Sequence, residues 1–226
     1  MDSNETDGIS TSSNVCVARR RLLARIAMLG AAVAATKAWP APNGAPASVG
    51  ARAPEINVRD TEGRHRTLSD FANKVVVLEW TSPSCPFVAA QYDSGRMQAL
   101  QQWATSHGVV WLSVLSTHPS RRDYLAAEGA KAFNSQRKAA ASVLLLDDTG
   151  ELGRRYGART TPHMFVIGTS GNVVYAGAID DKATTNPKVV TSSRNFVRAA
   201  LEDLAANRPV AVASTRPYGC AVGYAG

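Results

Sequence analysis

The chain has 226 residues, 45% of them hydrophobic and 19% charged, with a formal net charge of +7. That length and apolar content suffice for one domain of ordinary size with a real core and terminal extensions. The positive charge is scattered and accompanies no recognition motif, so it reads as solvated faces and a nucleic-acid partner is not expected.

The N-terminal region reads as an address label. A polar stretch to Asn14 precedes Arg19-Arg20-Arg21, then an apolar run from Ala24 to Ala35 broken only by Arg25, with Lys37 after it. Adjacent arginines before a modest hydrophobic stretch fit a twin-arginine export signal over residues 1–38. The run is shorter than the roughly 20 residues a membrane-spanning helix needs. Contact with a membrane is therefore expected only through the signal, and the location is exported, periplasmic or otherwise extracytoplasmic. Residues 39–52, rich in Ala, Pro and Gly, read as a linker. The domain proper is expected over 53–207, followed by a tail at 208–226. Cys16 falls inside the signal, which leaves the mature chain with Cys85 and Cys220.

Ile56 to Val58 and Arg66 to Leu68 flank a polar turn at Asp60-Thr61-Glu62-Gly63, a hairpin pattern. A single helical turn at Ser69 to Phe71 leads into the apolar run 74–80. A helix is expected from about 85 to 106, with Gly95 loosening its middle. A strand follows at 109–115, a helical segment at 119–140 and a strand at 143–146, an alternation that implies parallel pairing. A short helix at 151–156, a hairpin over 163–178 and an amphipathic helix over about 190–206 complete the pattern. The tail has no helical periodicity.

Cys85 stands between the strand ending in Trp80 and a helix opening with Pro86-Phe87-Val88. Unpaired N–H groups and the positive end of the macrodipole favour thiolate over thiol at a helix start, so a cysteine there is placed to react. The alternative is a buried structural cysteine. Thr161-Pro162 enters the apolar run His163 to Ile167, and Gly171 and Gly177 follow in the next turn and strand.

With Asp148-Thr149-Gly150-Glu151-Leu152-Gly153 leading into Thr161-Pro162, this order resembles the thioredoxin superfamily. Within it, the resemblance is to the redoxin or peroxiredoxin-like branch (alkyl hydroperoxide reductase/thiol-specific antioxidant type), and it runs from about Ala53 to Asn207. It implies an α/β fold, a thioredoxin-like three-layer sandwich around a central mixed sheet. It also implies a catalytic Cys85 and a cis Thr161–Pro162 bond that turns the Thr161 backbone toward a substrate beside Cys85. Ser82, three residues before Cys85, fits the slot from which a hydroxyl bonds the reactive thiol in peroxiredoxins. The proline expected before it is replaced by Leu78. There is no Cys-x-x-Cys: aligned on disulfide reductases instead, Ser82 stands in the nucleophile's place and Cys85 becomes the poorer, more buried thiol. His163 reads as a packing neighbour. Glu79, an acid inside an apolar strand, either relays a proton under the loop or lies exposed at an edge.

Cys220 has three open roles: resolving thiol for a Cys85 sulfenic acid, half of a permanent disulfide, or free thiol. The four histidines show no ligand spacing, so no metal is expected. No glycine-rich phosphate loop or dinucleotide fingerprint is present, so no cofactor is expected. The expected activity is that of an antioxidant thiol oxidoreductase reducing peroxide through Cys85 at the expense of a thiol reductant. The alternatives are thiol–disulfide exchange with exported proteins and a non-catalytic binding module closed by a structural disulfide.

Overall fold

The computed structural model describes residues 46–225. The expected signal and the first half of the linker, with Cys16, lie outside the described residues. No helix among the described residues is long and apolar enough to cross a membrane.

The hairpin β1 (Asn57–Asp60) and β2 (His65–Thr67) turns where Asp60 Oδ1 accepts the N–H groups of Glu62 and Arg64. A 3-10 turn, Leu68–Phe71, leads into β3 (Val76–Trp80), all five of whose residues are buried. Then come α1 (Pro86–Asp93), α2 (Arg96–Ser106), β4 (Val110–Leu115), α3 (Ala127–Gln136), β5 (Val143–Leu146) and α4 (Glu151–Tyr156). The remaining elements are β6 (Thr160–Thr161), β7 (His163–Ile167), β8 (Val173–Gly177), α5 (Pro187–Val190), α6 (Phe196–Ala205) and β9 (Cys220–Ala221).

Seven strands form one sheet in the order β2-β1-β5-β4-β3-β7-β8. β3, β4 and β5 run parallel, each step crossed by helix, while β1, β2, β7 and β8 add antiparallel pairs. A continuous apolar run such as β3 is what a strand covered on both faces requires. Val76, Leu78 and Trp80 point to one face, where they pack with Leu152 and Tyr156 of α4 and with Phe165. Val77 points to the other, with Val88 and Tyr92 of α1, Met97 and Leu100 of α2, and Val197 and Leu201 of α6. The architecture is the thioredoxin-like sandwich around a mixed sheet.

Two boundaries differ from expectation. Residues 46–52 are no free linker: Ala47 N–H donates to the Arg155 carbonyl, Gly50 N–H to Val173, and Arg52 bridges to Asn172. The tail after 207 is no loose end either. Ala176 N–H donates to Ala213, Thr215 N–H to Ala176 and Val222 N–H to Arg159, and Gly223 accepts from His118 N–H.

Candidate functional site

Cys85 is the N-cap of α1 with Pro86 at the first helical position, where the missing N–H costs nothing. The side chain is 1% exposed and packs in the core shared by α1, α2 and α6. Its thiol donates to the Thr161 carbonyl at 2.9 Å. The Thr161–Pro162 peptide bond is cis. The Thr161 hydroxyl is buried and has no hydrogen-bond partner among the described residues.

The tail delivers Cys220 to the same place. β9 pairs antiparallel with β6, with Cys220 opposite Thr161 and Ala221 opposite Thr160. The Cys220 sulfur lies beside the Cys85 thiol and the Phe87 N–H at the start of α1. Burial, then that contact with Cys85, pushes Cys220 up to about 12, so it is held as the neutral thiol at ordinary pH. Both cysteines are free.

This approach depends on the residue before Cys220. Gly219 has φ +132°, and a Cβ built there would lie 2.0 Å from the Thr161 carbonyl oxygen. Only glycine lets the tail lie this close to the cis-proline loop. Tyr218 anchors the other side. Its ring packs against Phe87 with centroids 5.8 Å apart, and its hydroxyl donates to Asp180 Oδ1. Asp180 is buried and also accepts from Gln91 Nε2 of α1 at 2.8 Å and from the Ser193 hydroxyl at 2.8 Å. Beyond Cys220, Tyr224 sits where Gly150 and Gly153 leave room, donating to the Ala158 carbonyl under the Arg154 guanidinium.

The predicted site residues Cys85, Cys220, Thr161 and Pro162 therefore converge. Ser82 lies in the same loop with a different partner from the one expected. Its hydroxyl is engaged with Ser84, whose own hydroxyl donates to Asp123 at 2.6 Å, so it builds the turn. Glu79 is not at an edge. It is fully buried and accepts from Tyr92 at 3.0 Å, Gln101 at 3.0 Å, Trp111 at 2.8 Å and Ser113 at 3.0 Å. His163 packs on Phe165, and its Nδ1 accepts the Arg159 N–H. Burial, then the charge of Arg159, holds it down at about 4, so it is neutral at ordinary pH.

Gln91, Asp180, Tyr218 and Gly219 were not singled out from the sequence. The one available signal was Tyr218-Gly219-Cys220-Ala221-Val222, an aromatic and a β-branched residue around glycine and cysteine, the composition of a short docked strand. No group of three or more His, Cys, Asp or Glu placed to hold a metal occurs among the described residues.

Against known proteins, no curated sequence matches. A structure of a hypothetical protein from Sinorhizobium meliloti superposes with a TM-score of 0.66 at 20% identity, covering 80% of this chain and 97% of that one. A conserved protein from Geobacillus kaustophilus gives 0.66 at 21% identity, covering 83% and 98%. At these identities the likeness is one of fold. The Redoxin sequence profile matches residues 48–193, a span that begins at the docked N-terminal segment and takes in Cys85 and Thr161–Pro162. The chain belongs to the Redoxin family, within the thioredoxin superfamily.

Proposed function

We propose that this chain is a thiol-dependent oxidoreductase in which Cys85 and Cys220 cycle between dithiol and disulfide. The observation that carries this is the β6–β9 pairing, which sets Cys220 opposite Thr161 while Thr161 accepts the Cys85 thiol. In exchange with a disulfide of another exported protein, the Cys85 thiolate attacks one substrate sulfur and displaces the other as thiolate. Cys220 then gives up its proton and attacks the Cys85 sulfur of the mixed disulfide. The substrate leaves with both thiols, having gained two electrons and two protons, and the chain keeps the Cys85–Cys220 disulfide. A thiol reductant restores the dithiol. The two cysteines supply the whole redox change, so the cycle needs no cofactor.

The same adjacency supports a second version, reduction of peroxide. Cys85 would take one peroxide oxygen as sulfenic acid, releasing water or alcohol, and Cys220 would condense with it, releasing water. Disulfide exchange is favoured because the Ser82 hydroxyl that would serve a peroxidatic thiol is bound to Ser84. Export rests on the sequence at Arg19-Arg20-Arg21 and Ala24 to Ala35.

The test is to react the reduced protein separately with a disulfide-bonded protein and with one equivalent of hydrogen peroxide, mapping both thiols by mass spectrometry over time. Exchange yields a Cys85–Cys220 disulfide with the first reagent, and Cys220→Ser accumulates a mixed disulfide at Cys85. Sulfenic acid at Cys85 ahead of the disulfide assigns the peroxide version. Two unmodified thiols with both reagents would leave a non-catalytic Redoxin-family scaffold.

A further inference from the structure

The backbone of Thr160 and Thr161 is an edge at which an extended chain adds by β-pairing, and in this structure that edge is already taken. The occupant is the protein's own tail. It runs through Tyr218 and Gly219, pairs at Cys220 and Ala221, and continues to Val222, bonded to Arg159. It sets a cysteine beside Cys85 along this edge, which is the geometry an extended, cysteine-bearing substrate would need in order to offer its sulfur there. Cys85 is 1% exposed, and Cys220 and Tyr218 pack against the core that holds it.

We infer that the tail around Tyr218-Gly219-Cys220-Ala221 is a built-in occupant of the substrate edge, an autoinhibitory strap that must lift before Cys85 meets an outside partner. The inference rests on the proposed role of Cys85 and adds its regulation. It also defines the partner: an extended peptide able to replace the tail along Thr160 and Thr161, with a small residue, above all glycine, before its cysteine.

Three features separate a strap from ordinary packing. The attachment nearest Cys85 is short: beside the ring contact on Phe87, a two-residue strand pair and a tyrosine hydroxyl on Asp180 can break without opening the central sheet, while Tyr224 holds the tail's end. The hydroxyl is a pivot, because Asp180 keeps its bonds from Gln91 and Ser193 when Tyr218 leaves. A cleft of about 650 Å³ lies beside the strap, lined by Thr160, Asp181, Phe196, Arg216 and Gly219 among others, and leaves the tail room to move aside.

The strap is tested by the rate at which Cys85 is alkylated in the reduced full chain, carried in a Cys220→Ser background so that only access to Cys85 is read. When opening is fast relative to labelling, that rate follows the population of the lifted state. Gly219→Val puts a side chain against the Thr161 carbonyl and should speed labelling by roughly tenfold or more. Tyr218→Phe keeps the ring on Phe87, removes only the hydroxyl, and should speed it by a smaller factor. A synthetic peptide spanning residues 214–225, with serine at 220, should slow labelling of the Gly219→Val protein again by refilling the edge. Either variant reacting at the rate of its parent, or a peptide without effect on the Gly219→Val protein, overturns the strap. Alkylation reads access and not turnover, so a protein inactive toward disulfides and peroxide would still show the strap, and an active one could lack it.

Discussion

His163 shows how much one buried ring can impose on a site. It follows the cis proline, is 6% exposed, and uses Nδ1 as an acceptor for the Arg159 N–H. Burial disfavours the charged ring and the neighbouring Arg159 charge adds to it, which is why the ring is held down at about 4 from 6.5. A base with a depressed folded pKa contributes stability that is whole above its unfolded value and lost as pH falls through the folded one. The loss therefore runs from about pH 6.5 down to about 4, on the order of 3 kcal/mol at full effect. Urea titrations across that window should show His163→Asn, whose amide oxygen can take the Arg159 bond without titrating, losing less stability than the parent; equal slopes would contradict it. The ring was legible in the sequence as a packing neighbour of the apolar run. Its depressed titration was not, because Arg159 and Phe165 meet it only in the folded loop.

At the scale of elements, Glu79 ties β3 to α1, α2 and β4 through Tyr92, Gln101, Trp111 and Ser113. Replacing it with leucine leaves four buried donors without their acceptor, each costing about 1–3 kcal/mol if unrelieved. Glu79→Leu should lower the urea midpoint sharply, with a loss of roughly 3–5 kcal/mol; a loss under about 1 kcal/mol would show that the donors find other partners. Strands and hairpins were legible because the apolar runs at 74–80, 143–146 and 163–167 have few other uses. Helices were legible in kind and less so in extent. The segment 85–106 is two helices, since Gly95 takes φ +75° and starts α2 anew. The segment 119–140 is helical only from Ala127, because earlier residues are committed elsewhere: Asp123 accepts from Ser84 and Tyr124 donates to Asp148. The expected helix at 190–206 divides where Ser193 turns to Asp180 and Asn195 caps α6.

Over the whole molecule, the decisive contact joins positions far apart in the chain. Cys85 was legible from its place between strand and helix, and Thr161–Pro162 from the run behind it. The docking of Cys220 was not, because a two-residue strand carries no periodicity and its partner Thr161 lies far earlier in the chain. Closing Cys85 to Cys220 constrains a loop of roughly 130 residues, worth ~4–5 kcal/mol in the chain-entropy account. The oxidised protein should therefore unfold at markedly higher denaturant than the reduced one, and Cys220→Ser, which cannot close the bridge, should show no such gain on oxidation. Coincident unfolding curves for oxidised and reduced parent would show that the bridge strains the fold as much as it restrains the unfolded chain.

The seat of Tyr224 on Gly150 and Gly153 gives the tail a second fastening, beyond Cys220 and independent of Tyr218. If Tyr218 lets go and Tyr224 stays, Cys220 swings on a leash of four residues, with a reach of ~14 Å at full extension. A thiol confined to so small a volume meets Cys85 at a local concentration of about millimolar or higher. A partner joined to Cys85 would thus be released by the chain's own sulfur before a dilute thiol from solution arrived, and the lifetime of that joined state would be set by how long the leash stays slack.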